Sequence, residues 1–280
     1  MSELLDPALP AHAIEALCGY FDQPRHLPIR SRERRWLETL NLHHLDTPVG
    51  RGRLYESGPK CAPAILLIHG WGGYTGMFAP LASHLVTCGY RVVLPDLLGH
   101  GDTSPDCVCH FGAQLTWLKR LLSEVGPCQH VIGHSLGGVL ATLLHVTPSS
   151  PFRSATLLGA PQSLTHAFQH FVDQTQFPTP PDMAEKLARW YCTRHALPSF
   201  CMADHGRSFT QHALFIHGGK DHRFDSSQAH INHQSCPLPT DQKQLIIYDN
   251  LGHLGILYSA KIHHAIYTFI GHAQESEHAM

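Results

Sequence analysis

His130-Val131-Ile132-Gly133-His134-Ser135-Leu136-Gly137-Gly138 is the stretch that decides how this chain folds. A short apolar strand enters G-x-S-x-G, and a helix-forming run from Ser135 to His145 leaves it. A chain that turns so sharply from strand to helix holds the serine in a strained conformation. Its flanking glycines let neighbouring backbone approach without a Cβ clash. The hydroxyl then projects from the C-terminal edge of a sheet. The helix behind it presents free N–H groups and a positive dipole end, both suited to a developing oxyanion. The pentapeptide alone could be a glycine-rich turn with an incidental serine. The strand–turn–helix setting separates the two.

Outward from this point, short β-like runs alternate with longer helix-compatible runs, which implies a mostly parallel sheet covered by helices. Ala64 to Ile68 is wholly apolar, as a strand buried on both faces requires. Tyr90–Leu94, Ser154–Leu158, Ala213–Ile216 and Gln244–Tyr248 are further strands. Helices are expected over Met77–Cys88, capped by Gly89, and over Phe111–Val125 and Ile256–Ile270. Two more polar strands, near His43–Thr47 and Gly52–Glu56, are expected as an antiparallel hairpin at a sheet edge. The rhythm breaks between Gln162 and Arg207, where two helical stretches, Leu164–Gln174 and Met183–His195, are punctuated by Pro178, Pro180 and Pro181. Three segments follow: a helical N-terminal extension over 1–41, an α/β core over 42–161 and 208–280, and an insertion over 162–207.

A serine hydroxyl is a weak nucleophile and needs a base within hydrogen-bond reach, oriented by a third group. His253, on the glycine-flanked loop Asn250-Leu-Gly-His253-Leu-Gly after the last strand, is the expected base. Asp221, in the post-strand loop His217-Gly-Gly-Lys-Asp221, is the expected orienting acid, with Asp225 and Asp249 as rivals. The order Ser, Asp, His suits this arrangement. The loop His69-Gly-Trp-Gly-Gly73 follows the first core strand. Its Trp71 N–H and the Leu136 N–H are the expected oxyanion donors, and His69 is read as structural.

Together these residues resemble the α/β-hydrolase superfamily, in its serine esterase-like branch with a small helical lid. The resemblance covers roughly residues 50 to 270. It rests on His69–Gly73, on Asp96-Leu-Leu-Gly-His-Gly-Asp-Thr103, on Gly133–Gly138, and on Asp221 with His253. Thr103 stands where the family usually has serine, and Asp96 is expected to shape the site. The resemblance implies a lid over 162–207 and hydrolysis of a small to medium acyl carboxylic ester through an acyl-enzyme on Ser135. It calls for no metal and no organic cofactor. The same triad would also serve a thioesterase, C–C bond hydrolase, perhydrolase or acyltransferase. Serine at position 135 speaks against dehalogenase or epoxide-hydrolase chemistry, which uses an aspartate there. A non-catalytic binding module on the same fold is the reading from another class.

Composition agrees with a folded enzyme. Of 280 residues, 43% are hydrophobic and 15% charged, and the net charge is -2, which favours neither disorder nor a nucleic-acid partner. The compact basic stretch Arg30–Arg35, interrupted by Glu33, reads as a solvated helix face. Neither a secretory signal pattern nor a membrane-spanning run is evident, so a soluble, cytoplasmic protein is expected. The nine cysteines lack framework spacing and read as free thiols. Cys107-Val-Cys-His110 and the 25 histidines invite a metal, but zinc-like paired spacing is missing and the histidines read as compositional. Phe168, Phe171, Phe177, Trp190, Tyr191 and Phe200 of the insertion are expected to form the lid's own small core.

Overall fold

The structure is a computed structural model that describes residues 22, 24, 27–103, 107–146, 150–174, 180–197, 201–202 and 212–278. Most of the N-terminal extension, together with Phe177 and Phe200, lies outside the described residues.

Helix α1 (Ser31–Leu37) precedes a hairpin of β1 (Asn41–Thr47) and β2 (Gly50–Ser57). The core continues with β3 (Ala64–Ile68), a 3-10 turn (Thr75–Phe78), α2 (Ala79–Thr87), β4 (Arg91–Asp96), α3 (Phe111–Val125) and β5 (Cys128–His134). Then come α4 (Leu136–His145), β6 (Ser154–Leu158), α5 (Leu164–Gln174) and α6 (Met183–Arg194). The chain closes with β7 (His212–Gly218), α7 (Ser227–Ser235), β8 (Lys243–Tyr248), a second 3-10 turn (Gly255–Tyr258) and α8 (Ala260–His278). The eight strands form one sheet in the order β1-β2-β4-β3-β5-β6-β7-β8. β1 and β2 are antiparallel and occupy one edge, while β3 to β8 run parallel.

Strand β3 explains why a wholly apolar run was needed. Leu66 and Ile68 face one hydrophobic cluster with Trp117, Leu140 and Phe168. Ile65 and Leu67 face another with Phe78, Leu81, Ile266 and Phe269. Both sheet faces are thus covered by helices, and no strand residue can be polar on alternate positions here. β3 also lies where the strand order reverses, between β4 and β5. Ligands of open α/β sheets bind beyond the C-terminal strand ends at such a point.

Several expectations change in detail. α2 ends at Thr87, and Gly89 (φ +93°) follows in the left-handed region. The N–H of Tyr90 reaches Leu85 O (3.1 Å) and that of Gly89 reaches Val86 O (3.0 Å), a Schellman closure. Helix α7 was not foreseen because only Ala229 and Ile231 among its nine residues are apolar. It is held by polar groups instead: Asn232 Nδ2 donates to Ala160 O (3.2 Å), and Gln228 Oε1 accepts from Gln162 N (3.1 Å). The Arg30–Arg35 stretch is not a uniformly solvated face, since Glu33 is buried together with Leu37 one turn on. Phe168, Phe171 and Tyr191 do not form a separate small core. They merge with the main cluster on the α3–α4 face, with Phe168 and Tyr191 edge to face at 5.4 Å.

The eight cysteines among the described residues are free. The histidines are less incidental than composition suggests, because among the described residues eight are buried. Burial pushes His130 down to about 3 and His145 down to about 4. Both would titrate near about 6.5 in the unfolded chain. Below that pH the unfolded state takes up protons that the folded state refuses. Stability is therefore full above about pH 6.5 and declines toward pH 3 to 4, by up to about 1.4 kcal/mol per pH unit for each histidine. Urea midpoints are expected to fall between about pH 7 and about pH 5. A flat midpoint across that span would refute the assignment.

Candidate active site

Ser135 sits between β5 and α4 with φ 55° and ψ −127°, a conformation rarely tolerated by a residue with a side chain. Its N–H donates to Leu158 O (2.8 Å) at the end of β6, and its carbonyl accepts from Gly138 N (2.8 Å). Close packing explains the glycines. A Cβ on Gly133 would lie 2.4 Å from Gly137 O, and one on Gly137 only 2.3 Å from Ile68 O. The oxyanion-type loop after β3 comes equally near, since a Cβ on Gly70 would lie 2.9 Å from Ser135 Cβ.

Asp221 and His253 meet on the neighbouring strand ends. His253 Nδ1 lies 2.7 Å from Asp221 Oδ2, and both side chains are buried. The carboxylate requires that this nitrogen carry the proton, which leaves Nε2 as the basic nitrogen. Among the described residues, buried Nε2 has no hydrogen-bond partner, the one from Ser135 included. Such bonds are often long before substrate binds. Burial lowers the His253 pKa despite the opposing pull of Asp221. For Asp221, burial works against its charge. Hydrogen bonds from His217 and His253 outweigh this and hold the carboxyl well below its usual range. Its other oxygen accepts from the N–H groups of Arg223 (2.8 Å) and Phe224 (3.1 Å). The rival carboxylates are elsewhere: Asp225 Oδ1 accepts from Ser227 N (2.9 Å) at the start of α7, and Asp249 is exposed.

Two neighbours escaped the sequence reading. His217 Nε2 lies 3.2 Å from Asp221 Oδ2, the oxygen that also meets His253, and 2.8 Å from Phe224 O. His134 Nε2 lies 3.0 Å from His253 O, and the two rings are 4.7 Å apart. His134 thus ties the base loop to the residue beside Ser135. Both histidines fall at the C-terminal ends of parallel strands, which was the available signal.

The remaining motif residues support the loops. His69 Nδ1 lies 2.8 Å from Gly70 O, and its Nε2 accepts from Leu97 N (3.0 Å), a structural role. Asp96 Oδ1 accepts from Thr75 N (2.8 Å) and so joins two loops. Thr103 Oγ1 donates to His100 O (2.6 Å), a bond that serine could also make. The Trp71 ring stacks on Phe111 at 4.9 Å and meets His100 edge-on at 4.7 Å. Among the described residues, no group of three or more His, Cys, Asp or Glu side chains is arranged to hold a metal. In the Cys107–His110 segment, Cys109 Sγ bonds Cys107 O (3.0 Å) and His110 stacks on His195 at 4.0 Å.

The family described as the alpha/beta hydrolase fold matches residues 63–203, half of the chain and a span that contains this elbow. The chain belongs to the α/β-hydrolase family. Among its relatives, this α/β-hydrolase is 30% identical to Lipase 1 of Psychrobacter immobilis over 173 residues, covering 54% of this chain and 53% of that one. It is 37% identical to a pimeloyl-[acyl-carrier protein] methyl ester esterase of Xanthomonas campestris over 103 residues, 35% of this chain and 37% of the relative. The chain thus spans about half or less of the curated relatives it matches. Naproxen esterase from Bacillus subtilis superposes with a TM-score of 0.66 over 94% of this chain and 100% of that one. At 16% identity that likeness concerns the fold. Among the described residues, no helix is long and apolar enough to cross a membrane.

Proposed function

We propose that this α/β-hydrolase cleaves a small to medium acyl carboxylic ester through an acyl-enzyme on Ser135. The observation that carries the reading is the buried 2.7 Å contact between Asp221 and His253, which leaves a basic nitrogen unpartnered on a loop contacted by His134, the chain neighbour of the strained Ser135. The lipase and methyl ester esterase relatives support ester hydrolysis in general.

In this mechanism His253 Nε2 takes the Ser135 proton as Oγ attacks the ester carbonyl. The backbone N–H groups of Trp71 and Leu136 receive the oxyanion, aided by the N-terminus of α4. Collapse of the tetrahedral adduct breaks the C–O bond, and His253 gives its proton to the departing alcohol. Water, deprotonated by the same nitrogen, then attacks the acyl-enzyme; collapse of this adduct breaks the bond to Ser135 Oγ, His253 returns its proton to that oxygen, and the carboxylic acid leaves. Asp221 holds the tautomer and stabilises the transient imidazolium.

The insertion over 162–207 acts as a lid in the same proposal. Within it an isolated antiparallel β-bridge pairs Ser163 with Cys201, and Met202 N donates to Gln162 O (2.8 Å).

A fluorophosphonate probe tests the reading directly. Mass analysis is expected to find the adduct on Ser135, and an unlabelled serine would sink the proposal. The pH profile offers a second check. Burial lowers the His253 pKa, so the base remains neutral to lower pH than a free imidazole. The acid limb of kcat/KM is expected below about pH 6.5. A limb centred above that value would contradict the assigned environment.

A further inference from the structure

Residues 27 to 34, ahead of the region covered by the family match, lie against three loops of the site. Leu27 N donates to Gly72 O (3.0 Å), inside the loop that carries Trp71. Three residues beyond Trp71, the Tyr74 hydroxyl accepts from Arg30 N (3.4 Å), lies 3.3 Å from Pro28 O, and donates to the Glu33 carboxylate. The other carboxylate oxygen of Glu33 accepts from the Tyr258 hydroxyl (3.2 Å), five residues beyond His253. Gly76 packs directly on Glu33, where an added Cβ would lie 3.1 Å from the Glu33 Cβ. One residue on, Arg34 forms a two-pronged pair with Asp102 (3.0 and 3.3 Å), in the loop after β4.

Glu33 is the centre of this arrangement. Only 1% of it is exposed, so its charge is held away from water by two tyrosine hydroxyls and by Arg30, whose Nη1 is 3.8 Å away. A buried carboxylate is costly unless so satisfied. Its two oxygens bond separately to Tyr74, just after the Trp71 loop, and to Tyr258, at the end of the 3-10 turn that follows the His253 loop. Those segments follow different strands, and beside their shared apolar packing through Tyr74, Phe78, Ile256 and Leu257, Glu33 supplies a polar tie between them. We infer that Glu33 is a positioning residue, which sets the Trp71 N–H and His253 in register through Tyr74 and Tyr258. This rests on the roles proposed above for Ser135, His253 and Trp71.

The test is the kinetics of p-nitrophenyl butyrate hydrolysis by wild type, Glu33→Ala and Glu33→Gln. Rates are counted per fluorophosphonate-titrated site and taken well below each Tm, so that lost folding is not read as lost catalysis. Glu33→Ala is expected to lose about ten- to a hundredfold in kcat with KM little changed, the scale of a misplaced catalytic geometry. Glu33→Gln keeps one acceptor oxygen for one tyrosine, its amide N–H can donate to the other tyrosine's hydroxyl oxygen, and it should recover most of that loss. Wild-type kcat in Glu33→Ala, or no recovery in Glu33→Gln, overturns the inference. Should Glu33→Ala not fold, Tyr74→Phe and Tyr258→Phe each delete one hydroxyl. Both are expected to lower kcat at constant KM, and wild-type kcat in both overturns the inference equally. A wild type as slow as Ser135→Ala would sink the reading of the site itself. An active wild type with indifferent Glu33 and tyrosine variants would sink the positioning role alone.

Discussion

Ser135→Ala is expected to lose at least about a thousandfold in kcat against p-nitrophenyl acetate, butyrate or octanoate, the scale of removing a triad nucleophile. The variant should remain folded. The φ of 55° strains serine and alanine alike, because each carries a Cβ. The backbone bonds that hold the elbow, Ser135 N to Leu158 O and Gly138 N to Ser135 O, involve no side chain. Tm should therefore change little while the rate collapses. Chain-length preference across the three esters would then begin to describe the acyl pocket. If both proteins are equally slow on all three, hydrolysis of simple oxygen esters is not the activity. A thioester assay is the next arm, because the same serine, histidine and oxyanion donors would act on a thioester carbonyl.

Gly137→Ala is expected to cost more than about 4 kcal/mol of stability. The added Cβ would lie 2.3 Å from Ile68 O and 2.5 Å from His69 O. Both are backbone atoms at the end of β3, an interior strand paired on both sides by β4 and β5, and neither can rotate aside. Relief requires α4 to back away from β3. That motion would carry Ser135 away from the Gly70–Trp71 loop, so any folded fraction should also lose at least about a hundredfold in rate. Gly271→Ala is the control. It lies within α8 with nothing within 4 Å of the new Cβ, so it should be neutral or slightly stabilising. Urea denaturation of the two variants checks the contrast. A Gly137→Ala protein with wild-type stability would mean that β3 and α4 are not packed as described.

The contrast between those glycines also marks what could be read from the chain alone. Gly133 and Gly137 announce themselves because G-x-S-x-G after an apolar run has few local solutions, and the strand–turn–helix is one of them. Ala64–Ile68 and Ser154–Leu158 were legible for a similar reason, since a strand buried on both faces must be apolar throughout. Phe111–Val125 and Leu164–Gln174 follow from helical periodicity, and Gly89 from the need for a left-handed residue after a helix. These are local energies written in consecutive residues.

Contacts between distant residues are not written that way. Three carboxylates, Asp221, Asp225 and Asp249, stood near enough in sequence to be partners of His253. The tertiary structure decided that Asp221 is the one that meets it, because the loops after β7 and β8 converge at adjacent parallel strand ends. Helix α7 stayed hidden because its buried face is built from Gln228 and Asn232, whose value depends on partners in another loop. Glu33 looked like a break in a basic surface run. It becomes a buried acceptor only when Tyr74 and Tyr258, the latter 225 residues away in sequence, are folded against it. Burial of a charge is set by what surrounds it in space, and the sequence around Glu33 carries no trace of those two hydroxyls. The elbow and the sheet were thus determined locally. The carboxylate that meets His253, and the fastening of the segment after its loop to the segment after Trp71, were decided by the fold.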